Sequence, residues 1–228
     1  MSSEILEIIV REMDVSEYIK NWKQLSPFEM LIRTILAQNT TEQNALAAFN
    51  KLKTTFSNKI DAATLAYADV TKIQEAIRIA GLQNQKSQRI KTISRTIHYD
   101  WKDSFNFMYK APLEEVRRKI TELPGIGKKT ADVLLNFCGK RPILPVDVHI
   151  NRISKRIGLA SQNAQYDEIR RSIERFVASD KLVVMHISLI FFGQKVCKTL
   201  KPKCDTCPVT HLCPKIGVKP TITNAHGE

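Results

Sequence analysis

The sequence predicts an all-α protein, and three observations carry that prediction. Apolar residues recur at helical spacing along most of the 228 residues, few stretches alternate with the period of two typical of strands, and only 8 Gly and 9 Pro interrupt the pattern. Hydrophobic residues make up 43% of the chain and charged residues 25%. A chain of this length and composition can bury a core without disulfides, so we expect a globular protein built from helices.

The first well-marked helix start lies near residue 26. Ser26 is an N-cap residue, Pro27 suits the first turn, and Glu29 completes a capping box ahead of an apolar stripe. Comparable patterns predict helices at about residues 3–13, 42–55, 71–80, 84–98, 113–122, 129–138, 147–158, 165–178 and 182–194. Residues 99–112 are only weakly patterned, and we interpret them as a link.

The chain is strongly basic, with a formal net charge of +12. The charge is spread through helical segments and not gathered in a tail, which favours a nucleic-acid partner over a membrane. The apolar run 182–192 is well short of the roughly 20 residues that cross a bilayer, so we interpret it as a buried helix. The first residues lack the order of a secretory signal, so we expect an intracellular protein with reduced cysteines.

Four cysteines occur within seventeen residues, in the pattern C-x6-C-x2-C-x5-C. They are Cys197, Cys204, Cys207 and Cys213. In a short basic loop with no obvious apolar set of its own, something must offset the entropy of ordering the chain, and a thiolate-bound metal can do so. One C-x2-C pair with two widely spaced single cysteines favours an iron-sulfur cluster, while structural zinc and four unconnected thiols stay open as alternatives. The fifth cysteine, Cys138, lies in an apolar helical context and is interpreted as a small buried hydrophobe.

The cysteine loop also carries lysines. Lys198, Lys201 and Lys203 lie between the first two cysteines. They are candidates for phosphate contact, although a solvated charged loop explains them equally well.

A second motif lies between the helices expected at 113–122 and 129–138. Its sequence is Leu-Pro-Gly-Ile-Gly-Lys, residues 123–128. Gly125 and Gly127 are expected to adopt positive φ and to approach another chain closely, and the next helix begins with unpaired N–H groups at the positive end of its dipole. This helix-hairpin-helix arrangement fits a DNA phosphate, with Lys128 beside it.

These motifs, together with Val146-Asp147-Val148-His149-Ile150-x-Arg152, resemble the helix-hairpin-helix DNA glycosylase superfamily and most nearly its endonuclease III branch. The resemblance implies an all-helical, two-lobed fold with the active site in the cleft between the lobes. It places one lobe at residues 25–137, with the hairpin at 123–128. The other lobe would comprise residues 1–24 and 138–228, with the cluster loop at 197–213.

The resemblance also implies roles for single residues. Lys129 falls on the nucleophilic lysine and Asp147 on the catalytic aspartate, while the four cysteines of the loop fall on the ligands of a 4Fe-4S cluster. Gln38 matches the glutamine that fills the gap left by an extruded base, and Leu82 matches a wedge on the opposite side. Thr41 departs from this branch, which more often has an acid there, and the pair Thr40-Thr41 is similar to mismatch-specific glycosylases.

The chemistry explains why such residues are needed. A base inside a duplex is sterically blocked, so the nucleotide must be flipped out. Lys129 would attack the sugar C1′ and form a Schiff base from which β-elimination cuts the strand, and Asp147 would stabilise the cationic sugar. Asp147 is also expected to cap the helix that follows it, and His149 to be a structural hydrogen-bonding residue.

We therefore expect a monomeric, bifunctional DNA glycosylase and abasic-site lyase that removes oxidised pyrimidines from damaged duplex DNA in the cytoplasm or nucleoid of a prokaryote. A monofunctional glycosylase for uracil or thymine opposite guanine is the second interpretation. A noncatalytic iron-sulfur DNA-binding module, which would bind duplex DNA and leave lesions intact, is the third.

Overall fold

A computed structural model describes residues 2–218, and within them every regular element is a helix. The α-helices are α1 (Ser2–Glu12), α2 (Ser16–Lys23), α3 (Pro27–Leu36), α4 (Glu42–Thr55), α5 (Ala62–Tyr67), α6 (Val70–Ala76), α7 (Gln83–Tyr99), α8 (Phe107–Lys110), α9 (Leu113–Thr121), α10 (Lys128–Phe137), α11 (Val148–Arg156), α12 (Tyr166–Glu174) and α13 (Leu182–Lys195). Short 3-10 turns occupy Arg78–Ala80 and Ser179–Lys181. The predicted all-α class is confirmed.

Three helices differ from the sequence prediction because they are short. The pattern did not predict α2, α5 or α8, of which α8 lies inside the stretch expected to be a link. The helix expected at 71–80 is instead α6 followed by the 3-10 turn Arg78–Ala80. Helix α12 ends at Glu174, four residues before the expected end.

Side-chain caps fix the beginnings of several helices. The predicted capping box at α3 is confirmed: the Glu29 amide donates to Ser26 Oγ at 3.2 Å, and the Ser26 amide donates to Glu29 Oε2 at 3.0 Å. Thr41 caps α4 by accepting from the Asn44 amide at 3.2 Å. Asp61 caps α5 in the same way through the Thr64 amide, at 2.7 Å.

The chain divides into two compact units, and one of them is the continuous stretch Lys20–Arg141. In this unit α3 packs against α4 and α10, while α7 packs against α5 and α6. The apolar stripe of α3 is fully buried in its core, at Leu31, Ile32, Ile35 and Leu36. The core therefore fixes the position of α3, from which residues 37–41 continue.

The other unit combines both ends of the chain, Met1–Ile19 and Pro142–Glu228. Helix α13 packs here against α1 and α11, and the run 182–192 is a largely buried helix, as expected. His186 in that helix is buried, and its Nδ1 bonds the Pro145 carbonyl at 2.9 Å. The lobe boundaries implied by the resemblance, 24/25 and 137/138, stay a prediction, and residues 219–228 of the second lobe lie outside the described residues.

No single helix within residues 2–218 is long and apolar enough to cross a membrane. The consecutive segments Tyr166–Glu174 and Ser179–Lys195 reach the required length and hydropathy only when counted together, and they are bent by 117°.

Candidate functional site

The hairpin between α9 and α10 is anchored by two apolar side chains. Leu123 and Ile126 are 3% and 5% exposed, so the turn is held to its unit while the residues between and after them stay at the surface. Gly125 has φ of +72°, the left-handed conformation that glycine allows. Gly127 has φ of −96° and ψ of 177°, so the expectation of positive φ at this residue is wrong. Its extended backbone instead starts α10 as the N-cap residue.

Helix α10 begins with an open N-terminus. Gly127 has no side chain to accept from the first amides of the helix, so these N–H groups face outward with the positive end of the dipole. Lys128 and Lys129 are the first two helical residues and both are exposed, whereas Thr130 after them is buried. The arrangement presents two amines beside the N-terminal turn of α10 on one surface.

Asp147 is the N-cap of α11, as expected. Its Oδ1 accepts from the Ile150 amide at 2.8 Å, and the residue is half-buried. Oδ2 has no hydrogen-bond partner among the described residues, so this oxygen can interact with a cation from outside the helix. The cap also fixes the direction of the carboxylate, because one of its oxygens is tied to the helix backbone.

His149 and Arg152 take part in hydrogen bonds that connect α11 to α13. Arg152 donates from Nη2 to His149 Nδ1 at 3.0 Å and to the Gly193 carbonyl at 2.9 Å. A Cβ on Gly193 would lie 2.7 Å from the His149 Cβ, so α11 and α13 approach closely at this glycine. Burial lowers the pKa of Arg152 below its ordinary value, against the opposing effect of the neighbouring Cys197 side chain. Both contacts agree with a structural role for His149.

The structure brings Gln38, Leu82 and Gly125 to one open recess of about 770 Å³. Gln38 donates from Nε2 to the Gly125 carbonyl at 3.3 Å, and Arg89 donates to Gln38 Oε1 at 2.6 Å. The Arg89 guanidinium occupies the space beside Gly125, since a Cβ there would lie 2.2 Å from Arg89 Cζ. Gln38 is thus oriented by two partners that are distant in sequence.

Leu82 also lines this recess. It precedes α7 in the left-handed conformation, with φ of +50°, and its side chain is 50% exposed. A large apolar side chain held outward on a left-handed backbone is unusual, because most residues disfavour that conformation.

The four cysteines of the loop line a second recess, of about 370 Å³. The Lys215 amide donates to Cys213 Sγ at 3.4 Å, and Arg156 Nη1 donates to Cys197 Sγ at 3.5 Å. Burial raises the pKa of the Cys207 and Cys213 thiols, and the neighbouring sulfurs raise them further. Within the described residues, no three His, Cys, Asp or Glu side chains are placed to hold one metal ion.

Two arginines of α11 brace the cysteine loop. Arg156 donates to the Lys198 carbonyl at 2.6 Å and to the Thr199 carbonyl at 3.0 Å, and Arg152 Nε donates to the Cys197 carbonyl at 3.0 Å. The loop backbone is therefore fixed to the helix that Asp147 caps. Its lysines, Lys198, Lys201 and Lys203, are all exposed.

Sequence reasoning missed Arg89, Lys86 and Arg156. The sequence could have indicated the first two, because positions 82, 86 and 89 share one face of a helix. Lys86 and Arg89 are therefore expected on the same helix face as Leu82. For Arg156 the signal was its position four residues after Arg152, which places both arginines on the same face of α11.

Comparison with known proteins identifies the class. Residues 32–179 match the family described as HhH-GPD superfamily base excision DNA repair protein, and the chain belongs to that superfamily. Within it, the chain falls in the endonuclease III branch and is a DNA glycosylase of base excision repair.

The relatives extend over nearly the whole chain. It is 34% identical over 205 residues to endonuclease III of Sulfolobus acidocaldarius, covering 89% of each chain. It is 30% identical to endonuclease III of Thermotoga maritima over 209 residues, covering 92% of each. A solved structure of a trapped endonuclease III–DNA covalent intermediate superposes with a TM-score of 0.72 at 25% identity, covering 84% of this chain and 85% of the other.

Proposed function

We propose that this glycosylase is bifunctional: it releases oxidised pyrimidines from duplex DNA and then cuts the strand at the resulting abasic site. The observation that carries the proposal is the exposed Lys129 in the first turn of α10, directly behind the hairpin. The similar endonuclease III that was trapped as a covalent intermediate with DNA supports the same chemistry for this chain.

In the proposed reaction the neutral Lys129 Nζ attacks C1′ of the flipped nucleotide. The bond between C1′ and the base nitrogen breaks, and the base leaves with the bonding electrons and takes up a proton. The attached amine loses its proton as the sugar ring opens, giving a Schiff base. Loss of a C2′ proton then expels the 3′ phosphate by β-elimination, and water releases Lys129.

Asp147 is proposed to stabilise the positive charge that develops on the sugar. The N-cap bond from the Ile150 amide holds Oδ1, while Oδ2 stays free to face the substrate. A preorganised carboxylate stabilises a cationic transition state without reorganising during the step.

Three parts of the chain are proposed to bind DNA. The hairpin with Gly125, Gly127 and Lys128 would take a phosphate on its amides. Gln38 and Leu82 would enter the duplex on the two sides of the extruded nucleotide. The lysines of the cysteine loop, Lys198, Lys201 and Lys203, would contact phosphates of the DNA backbone.

We further propose that Cys197, Cys204, Cys207 and Cys213 hold a 4Fe-4S cluster. All four ligands are sulfur and line one recess, and N–H groups of Arg156 and Lys215 already donate to two of them, as suits cluster thiolates. Structural zinc is the alternative, and one C-x2-C pair with two widely spaced single cysteines favours the cluster over it. The cluster would tie the loop together, since metal-ligand bonds offset the entropy of ordering it.

Borohydride trapping tests the proposal. Wild type, Lys129→Ala and the matched neighbour control Lys128→Ala are incubated with duplexes that carry thymine glycol, uracil or thymine opposite guanine, or an abasic site. We expect a covalent adduct with wild type and Lys128→Ala but none with Lys129→Ala, and the fastest base release from thymine glycol. Base release without an adduct would instead support a monofunctional mismatch glycosylase, and binding without reaction would support a noncatalytic module.

A further inference from the structure

Lys86 is an unusual residue in the core of the unit Lys20–Arg141. It is 1% exposed and is, with Phe192, among the largest side chains in the described chain that are buried this completely. Lysine is almost never fully buried unless it is paired with an acid. Here, among the described residues, no carboxylate pairs with it, and its Nζ donates instead to the Leu36 carbonyl at 2.8 Å and the Ala80 carbonyl at 2.9 Å.

The two carbonyls belong to two separate segments. Leu36 is the last residue of α3, and Ala80 is the last residue of the 3-10 turn. Carbonyls at helix ends lack intrahelical partners and favour a cation nearby. Lys86, on α7, therefore joins two helix ends that are 44 residues apart in the chain, since they lie at positions 36 and 80.

Each segment continues into a proposed DNA-inserting residue. Gln38 follows Leu36 by two residues, and Leu82 follows Ala80 by two residues. Each segment also contains a non-glycine residue with positive φ, Asn39 at +53° and Leu82 itself at +50°. Such conformations persist only where the surroundings enforce them.

We infer that Lys86 is a positioning residue whose ammonium ties together the segments that carry Gln38 and Leu82, so that both enter the duplex at a fixed separation. The inference rests on the proposed insertion of Gln38 and Leu82. Arg89, three residues after Lys86, supports the same arrangement by donating to Gln38 Oε1. Burial lowers the pKa of Lys86, and the Arg89 charge lowers it further.

The experiment uses a duplex with 2-aminopurine opposite a tetrahydrofuran abasic analogue, which cannot react. Unstacking raises 2-aminopurine fluorescence, and anisotropy reports binding separately. At saturating protein, we expect Lys86→Met to give about a third or less of the wild-type fluorescence rise while still binding DNA, because a looser support misplaces both inserted side chains. Ser94→Ala is the matched control: Ser94 is buried on α7 but bonds only its own helix, at the Ile90 carbonyl, so the full rise is expected.

The outcomes are distinct. A full rise with folded Lys86→Met overturns the inference, and so does an equal loss in Ser94→Ala, which would show that general destabilisation of α7 is responsible. No rise with wild type would contradict the insertion of Gln38 and Leu82 itself, which is a failure of the proposed function. If Lys86→Met does not fold, Lys86→Leu, which also has no donor for the two carbonyls, replaces it, and an undiminished rise with that variant likewise overturns the inference.

Discussion

Asp147 combines a structural and a chemical role in one side chain. Its Oδ1 caps α11 through the Ile150 amide, which needs an oxygen but no charge. Stabilisation of a cationic sugar needs the charge. The two roles can therefore be separated by substitution.

We predict that Asp147→Asn keeps the stability of the protein but lowers the rate of base release by about 100-fold or more, because an amide still caps the helix but carries no charge. Asp147→Ala should lose the activity and also about 1 kcal/mol of stability. Asp61→Asn, at the N-cap of α5, is the control and should leave turnover unchanged. Thermal melts and single-turnover kinetics measure both effects, and an active Asp147→Asn would contradict the assigned role.

Cys138 differs from the other cysteines in its surroundings. It lies at the C-terminal end of α10 and is only partly exposed, and burial raises the pKa of its thiol to about 12. The expected small buried hydrophobe is thus a partly buried thiol at a helix end.

At pH 8 a thiol with this pKa is ionised in only about 1 molecule in 10,000, so we predict very slow alkylation of Cys138 by iodoacetamide. Its neutral form contributes stability that is complete below the unfolded pKa near 9 and is lost as the pH rises towards 12. Peptide mass spectrometry checks the rate, with urea-unfolded protein as the reactive control. Equal labelling of native and unfolded protein would contradict the assignment.

The hairpin shows how two glycines of one motif serve different purposes. Gly125 needs its positive φ and leaves room for Arg89, while Gly127 is extended and has nothing within 4 Å of where a Cβ would be. The first glycine is required by the fold, whereas only an approaching DNA strand would require the second.

We predict that Gly125→Ala lowers stability by about 1 kcal/mol or more, because alanine is strained at that φ, and that it displaces Arg89 from Gln38. Gly127→Ala should lower the melting temperature less than Gly125→Ala does, since its φ suits alanine and only the N-cap preference is lost, but it should weaken DNA binding. Melts and binding isotherms on an abasic-analogue duplex test both variants. Unchanged binding by Gly127→Ala would exclude close approach of DNA at this residue.

The cysteine loop presents lysines on a backbone braced by Arg152 and Arg156. We predict that replacing Lys198, Lys201 and Lys203 with alanine makes the negative slope of log K for association against log salt less steep, by up to about 0.9 for each DNA phosphate that is no longer neutralised. The control replaces three exposed lysines outside the loop: Lys51, Lys72 and Lys110. An equal effect in both triple variants would mean that the loop acts only through net charge.

Local patterns predicted the long helices well, since capping and apolar periodicity are local properties. The capping box at Ser26 and the N-cap at Asp147 follow from a few neighbouring residues. Helices α5 and α8 have six and four residues, too few to display a period of 3.6, although Asp61 before α5 was a usable signal. Helix α2 has eight residues and buries a narrow stripe at Ile19 and Trp22, which gives little periodicity to detect.

The recess around Gln38 could not be predicted in the same way. The contacts of Gln38 to Gly125 and Arg89 span 87 and 51 residues of chain, and those of Lys86 depend on two helix ends meeting. No local pattern specifies such contacts. The resemblance identified Gln38 and Leu82, but the residues that support them became visible only in three dimensions.

The molecule as a whole has a net charge of +12, which suits a protein that binds a polyanion. One of its compact units is assembled from both chain ends, with Ile5, Leu6 and Ile9 of α1 in one core with residues of α13 such as Leu189. The N-terminal helix is therefore part of the same folded unit as the cysteine loop. Removal of α1, or of the chain from Val209 onward, would remove core residues of that unit.

The most direct test of the lysine mechanism is to locate the covalent bond to DNA. The borohydride-reduced adduct with an abasic-site duplex is digested with nuclease and a protease, and the modified peptide is sequenced by tandem mass spectrometry. The proposed mechanism predicts that the deoxyribose remnant lies on Lys129. A remnant on Lys128 or on another amine, or no remnant despite base release, would contradict it.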